Sequence, residues 1–149
     1  MVQLLLDSVA LLSKKYFFSA RRKFKKALLL LQQLEDVPTV TLDFNLNEES
    51  SLGVNIELLK SIPLVGAQSS GSTKQNSQNC LILQGQVLIV LGLLNHFIGY
   101  LDLSLENFQS ALEIFFENSG VNSEYTGSVT SNIAVVFFQI GDYSQSVEF

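Results

Sequence analysis

The sequence predicts an all-α fold, an interrupted solenoid of antiparallel helix hairpins. Three observations carry this expectation. Leu91-Gly92, Gly99, Phe108 and Ala111-Leu112 are echoed by Ile133-Ala134, Gly141 and Tyr143, with the two glycines forty-two residues apart. A fainter copy stands eighty-four residues earlier, at twice that interval, where Phe24 and Ala27-Leu28 precede Phe108 and Ala111-Leu112. Between these marks apolar residues return every three or four positions, as on one face of a helix. A unit repeating every ~20–50 residues cannot bury its apolar face alone. Stacked copies share one core and expose a long surface suited to gripping other proteins.

Each element follows from local pattern. Residues 3–13 carry Leu4, Leu5, Val9, Leu11 and Leu12 at helical spacing, and a second run carries Phe17, Ala20, Phe24, Ala27, Leu28 and Leu31. Together they predict a hairpin, a degenerate repeat over residues 1–35, ended before Pro38, which lacks a backbone donor and pushes its predecessor out of helical geometry. Residues 36–79 read as a linker and insertion. Val40, Leu42, Phe44 and Leu46 alternate with polar residues but have no visible partner strand, so extended chain is expected there. A short helix is expected over 55–62, before Pro63. Gly66 to Asn79, rich in Ser, Gln, Gly and Asn, reads as disordered or as a mobile loop. This insertion falls where a further repeat belongs.

Residues 80–149 read as the repeats proper. A long helix is expected from Cys80 to Ile98, a turn at Gly99-Tyr100, and a helix from Leu103 to Glu117 closed by Asn118-Ser119-Gly120. Ser123 suits the N-cap of a helix from Glu124 to Ile140. Gly141-Asp142 turns the chain into a last helix from Tyr143, barely two turns long and too short to stand alone in water. The last unit is therefore expected to be truncated, as in a fragment of a longer repeat protein.

Composition bounds the function. Apolar residues make up 47% of 149 residues and charged residues only 15%, more apolar material than a small helical array needs. Missing neighbours would account for that excess. The formal net charge is −5, yet seven of the nine basic residues lie between Lys14 and Lys26, leaving the rest of the chain acidic. One cysteine, Cys80, excludes an internal disulfide and fits a reducing, cytoplasmic setting. The N-terminus lacks the positive region of a secretory signal, and Asp7 interrupts its apolar run. The most apolar window, Cys80 to Phe97, contains Gln84, Gln86, Asn95 and His96, so a buried helix is expected rather than a membrane span.

The units resemble tetratricopeptide repeats. Leu91, Gly92, Gly99, Phe108 and Ala111 match the family pattern in one unit, and Ile133, Ala134, Gly141 and Tyr143 in the next. Ser104 and Ser146 stand where the family has alanine, and Leu101 where it has the turn aromatic. The forty-two-residue interval is similar to the longer repeats of kinesin light chains and their relatives. In the first hairpin only Phe17, Ala20, Phe24 and Ala27 match.

The resemblance implies a concave groove lined by the first helix of each hairpin. Carried over by position, the lining is Gln86, Ile89, Leu93, His96 and Phe97, then Ser128, Ser131, Asn132, Val135, Phe138 and Gln139. Helical spacing independently puts the first five on one face. The groove lacks the cations that clamp a terminal carboxylate, so an apolar or helical peptide from another protein is the expected ligand. The basic stretch, Lys14, Lys15, Arg21, Arg22, Lys23, Lys25 and Lys26, suggests an alternative, a peripheral membrane or calmodulin-binding element. The blander reading is a repeat helix with a basic solvated face, because Phe17, Ala20, Phe24 and Ala27 sit at repeat positions. Nucleic acid is not an expected partner.

Nothing points to an enzyme. His96 and Cys80 are the only residues of their types and lie about 24 Å apart by helical rise. Metal and nucleophilic sites require several such groups gathered together. The glycines at 66 and 71 have no following lysine in phosphate-loop register. No metal and no cofactor is expected.

Overall fold

A computed structural model describes residues 2–13, 16–33, 73–119 and 123–149 of the chain. Among the described residues there are six helices and no strand: α1 (Val2–Ser13), α2 (Phe17–Leu31), α3 (Thr73–Ile98), α4 (Leu101–Ser119), α5 (Glu124–Ile140) and α6 (Tyr143–Glu148). Each helix packs against the next in chain order. The expected extended stretch over 40–46 and the expected short helix over 55–62 lie outside the described residues.

The second helices of the first two hairpins bury the same stripe. In α2 the fully buried residues are Ala20, Phe24, Ala27 and Leu31, spaced four, three and four apart. In α4 they are Ser104, Phe108, Ala111 and Phe115, the same spacing eighty-four positions later. A stripe with that spacing is the apolar face of a helix laid on a core, and each fully buried Phe or Leu in it contributes about 1.5–3 kcal/mol.

The turns repeat as well. Asn95 and Phe137 each accept, at their carbonyls, a backbone N–H from five residues on: Tyr100 at 2.8 Å and Asp142 at 3.0 Å. The intervening Gly99 and Gly141 have φ of +93° and +92°. That left-handed backbone closes the helix by satisfying its last carbonyls, and glycine adopts it without a Cβ penalty. The turn between α1 and α2 makes the same bond, from the Tyr16 N–H to the Leu11 carbonyl at 2.9 Å. Tyr16, Tyr100 and Asp142 therefore hold one structural position in three hairpins.

Helix α3 begins seven residues before Cys80. Thr73 to Asn79, read from the sequence as loop, are helical. Between Thr73 and Leu83 there is neither Pro nor Gly to stop a helix growing backward from the apolar segment, and extension costs far less than nucleation. The Gln78 side-chain amide donates to the Asn118 carbonyl at 3.1 Å and ties this turn to the end of α4. Helix α4 likewise extends past the expected 103–117. Cys80–Ile98 has the length and composition of a membrane-crossing helix, yet 67% of that window is buried against neighbouring helices.

Two glycines set how closely α3 and α4 approach. A Cβ on Gly92 would meet the Phe108 ring at 2.6 Å, and one on Gly85 would meet the Phe115 ring at 2.7 Å. The two rings occupy the space that side chains on α3 would fill, and the antiparallel pair closes over them.

Helix α2 runs antiparallel to α3. The Phe17 ring stacks on Phe97 at 5.7 Å at one end, and the Cys80 thiol and the Gln84 amide each donate to the Leu31 carbonyl at 3.4 Å at the other. Leu31 is the register counterpart of Phe115, which stacks on Tyr125 of α5 at 4.8 Å. Among the described residues, hairpin α1–α2 thus meets α3 as hairpin α3–α4 meets α5, with no hairpin between.

Candidate docking surface

Helices α5 and α6 are the last two described. The Ser123 hydroxyl caps α5 by accepting the Thr126 N–H at 3.1 Å, and the Asp142 carboxylate caps α6 by accepting the Gln145 N–H at 3.2 Å. The inner face of α5, with Val129, Ile133 and Val136, is buried against the core. Its outer face and α6 carry a row of exposed apolar side chains. Phe138 meets Tyr143 edge to face at 5.4 Å, Phe137 stacks on Phe149 at 5.8 Å, and Val147 is 87% exposed.

The repeat register gives this row its meaning. Phe138 is 61% exposed, whereas its counterpart one unit earlier, His96, is 4% exposed. Val135 is half-buried where its counterpart Leu93 is buried. His96 of α3 is bonded by Gln139 of α5, and the same position of α5 has no following helix over it among the described residues. The apolar row is the face that a further hairpin covers one unit earlier.

The residues predicted to line a groove fall into two sets. Gln86, Ile89, Leu93 and His96 are buried in the core, together with Ser128 and Asn132 of α5. Phe97 and Val135 are half-buried, and Ser131, Phe138 and Gln139 are exposed. The open surface is therefore narrower than a groove running along both first helices, because α3 is enclosed by α2, α4 and α5. Ile140, Tyr143, Val147 and Phe149 belong to the surface and were not visible from groove positions. The signal that finds them is burial compared across the repeat.

Beneath the surface, polar groups fix how α3 and α5 meet. The His96 imidazole donates from Nε2 to Gln139 Oε1 at 2.7 Å, and the Gln86 amide donates to the Tyr125 hydroxyl at 3.2 Å. Burial pushes the His96 pKa below its ordinary value, against the opposing pull of the Gln139 hydrogen bond. The imidazole serves here as a bridge between helices. Cys80 lies against Leu31 and His96 against Gln139, at opposite ends of α3. Among the described residues no three His, Cys, Asp or Glu side chains gather as metal ligands would.

The described residues of the basic stretch have different surroundings. Arg21 donates from Nε to Asn95 Oδ1 at 2.5 Å and lies over the Tyr100 ring at 5.4 Å, which fastens α2 to the α3–α4 turn. Lys23 forms an ion pair with Asp7 at 2.9 Å, tying α2 to α1. The Lys23 ammonium, helped by the Gln3 amide, holds the Asp7 carboxyl below its usual range. Arg22, Lys25 and Lys26 point to solvent. Lys14 and Lys15 lie outside the described residues. Comparison with family models, with curated proteins and with solved structures returns no match to this chain.

Proposed function

We propose that this chain is a tetratricopeptide-type scaffold segment, without catalytic activity, which binds an amphipathic helix or apolar peptide of a partner protein. The ligand sits on the α5–α6 face, within a larger cytoplasmic complex. The observation that carries this reading is the contrast between Phe138 and His96, one register position exposed at the end of the stack and buried within it. The common turn at Tyr16, Tyr100 and Asp142 supports a solenoid of like units. Apolar anchors at helical spacing suit a helix laid in a shallow groove. An exposed apolar patch of this kind marks an interaction site rather than an ordinary surface.

Co-purification of the chain from its native source, with mass spectrometry and hydrogen exchange of the complex, tests the reading. The expected result is a stoichiometric protein partner that protects α5 and α6 and is lost with the double variant Phe138→Asp, Val147→Asp at unchanged helical content. A partner retained by that variant, or protection confined to α2, would overturn it.

A further inference from the structure

The outer face of α2 is cationic along its middle and apolar at both ends. Phe18, Arg22, Lys25 and Leu29 each stand two residues before one of the buried Ala20, Phe24, Ala27 and Leu31. Two residues turn an α-helix by about 200°, so this line faces away from the core. It runs about 16 Å by helical rise from Phe18 to Leu29, which are 63% and 60% exposed. Arg22, Lys25 and the adjoining Lys26 are exposed between them and form no ion pair among the described residues. The exposed Tyr100 ring stands edge-on to Phe18 at 6.5 Å and widens that apolar end. Asp102, exposed two residues beyond Tyr100, bounds the patch on that side. The one acidic residue of the hairpin, Asp7, is paired with Lys23 at 2.9 Å. The whole chain is divided in the same sense. Residues 1–33 hold seven Lys or Arg and one acidic residue, whereas residues 34–149 hold two Lys and thirteen acidic residues.

We propose that this face docks α2 flat on an anionic membrane surface. Arg22, Lys25 and Lys26 reach the lipid phosphates, and Phe18, Leu29 and the Tyr100 ring enter the boundary between headgroups and acyl chains. The long cationic stems keep their charges at headgroup level while the apolar neighbours go deeper. The phosphates of a nucleic acid would engage the cations and leave Phe18 and Leu29 without a role. A small acidic peptide would engage both, but the charge division over the whole chain acts most strongly on an extended anionic plane, which attracts the basic hairpin and repels the acidic remainder. Three cations and a few apolar side chains make a weak, reversible anchor that gains strength from a second signal. The surface is separate from the α5–α6 face and does not depend on its ligand.

Flotation of the full chain with phosphatidylcholine vesicles, without and with about 30% phosphatidylserine, tests this. The expected result is binding that requires phosphatidylserine and falls at least about tenfold between low salt and about 0.5 M salt. The triple variant Arg22→Gln, Lys25→Gln, Lys26→Gln binds at least about tenfold more weakly at unchanged helical content by circular dichroism, and Phe18→Ser, Leu29→Ser weakens binding at unchanged charge. The chain has no Trp, so Leu29→Trp and Val147→Trp each place a single indole on one face with every cation intact. Emission from Leu29→Trp is expected to shift to the blue on binding, and that from Val147→Trp to stay as in water. A wild-type chain that leaves the vesicles unbound would overturn the proposal. So would a triple variant that binds as the wild type does, or a blue shift from Val147→Trp and none from Leu29→Trp, which would put the lipid on α5–α6. A chain that ignores the vesicles but binds poly-glutamate or duplex DNA through Arg22, Lys25 and Lys26 would assign the face to a protein or a nucleic acid and overturn it equally.

Discussion

The Ser104 hydroxyl donates to the Gly92 carbonyl at 2.8 Å, and forty-two residues later the Ser146 hydroxyl donates to the Ala134 carbonyl at 2.9 Å. Both serines occupy one register position, forty-two residues apart. The hydroxyl is small enough for close helix contact and adds a bond across it. The Ser104 bond is buried, so it is not shared with water. Ser104→Ala is expected to lower stability by about 0.5–1.5 kcal/mol, read as a shift in the urea midpoint at unchanged slope. The more exposed Ser146→Ala is expected to cost less. Equal effects would show that burial of the bond is irrelevant.

Gly92 sits in the interior of α3, where alanine would ordinarily favour the helix by about 0.5–1 kcal/mol. The Phe108 ring 2.6 Å from a Cβ at that position reverses the sign. Gly92→Ala is expected to destabilise by about 1–3 kcal/mol through overpacking. Gly92→Ala combined with Phe108→Leu should recover part of that loss. A double-mutant cycle with no coupling would show that the ring and the glycine do not compete for the same space.

His96 predicts a pH dependence. Its pKa is lowered in the folded chain from an ordinary value of 6.5, chiefly by burial. The unfolded chain therefore takes up a proton first as pH falls. The stability that neutral His96 contributes is fully present above 6.5 and declines as pH drops through that value toward the lower folded one. Urea titrations between pH 7.5 and 5 should show this decline, and His96→Phe should flatten it. An unchanged slope in the variant would assign the decline to another group. Asp7 has its carboxyl held below its ordinary range and titrates under this window.

Arg21 fastens the first hairpin to the second through Asn95 and Tyr100. Arg21→Met keeps the aliphatic stem but loses the charged hydrogen bond and the ring contact. The expected cost is about 1–3 kcal/mol. Hydrogen exchange should show faster exchange in α1 and α2 and little change in α5. Uniform acceleration across all helices would mean that the hairpins unfold as one unit without a separable junction.

Much of the fold was legible because its signals are local. Ser123 and Gly141 mark the two ends of α5, since a side-chain cap and a positive φ depend on a few adjacent residues. The stripe of Phe24 and Ala27 matched Phe108 and Ala111 in sequence and is buried in the same way in both helices. The start of α3 was misread because the polar run before Cys80 carries no helix signal of its own. It is helical by extension from the apolar segment. The candidate surface was legible only in part. Phe138 stands out by register, but the burial of Ile89, Leu93 and His96 depends on how closely α2, α4 and α5 enclose α3.

The sequence by itself determined the period, the turns and the buried stripe of each helix, because these depend on residues within about one helical turn of each other. Only the tertiary structure decided which members of a repeated position stay open to solvent. His96 and Phe138 hold the same register, and packing against the next helix buries one while the other stays exposed. Likewise, the five described cations of one basic stretch divide according to what surrounds them. Arg21 and Lys23 fasten helices together, and Arg22, Lys25 and Lys26 stay exposed to solvent. Periodicity assigns a residue to a face, but exposure depends on the neighbours that cover that face, and those are set by contacts distant in sequence.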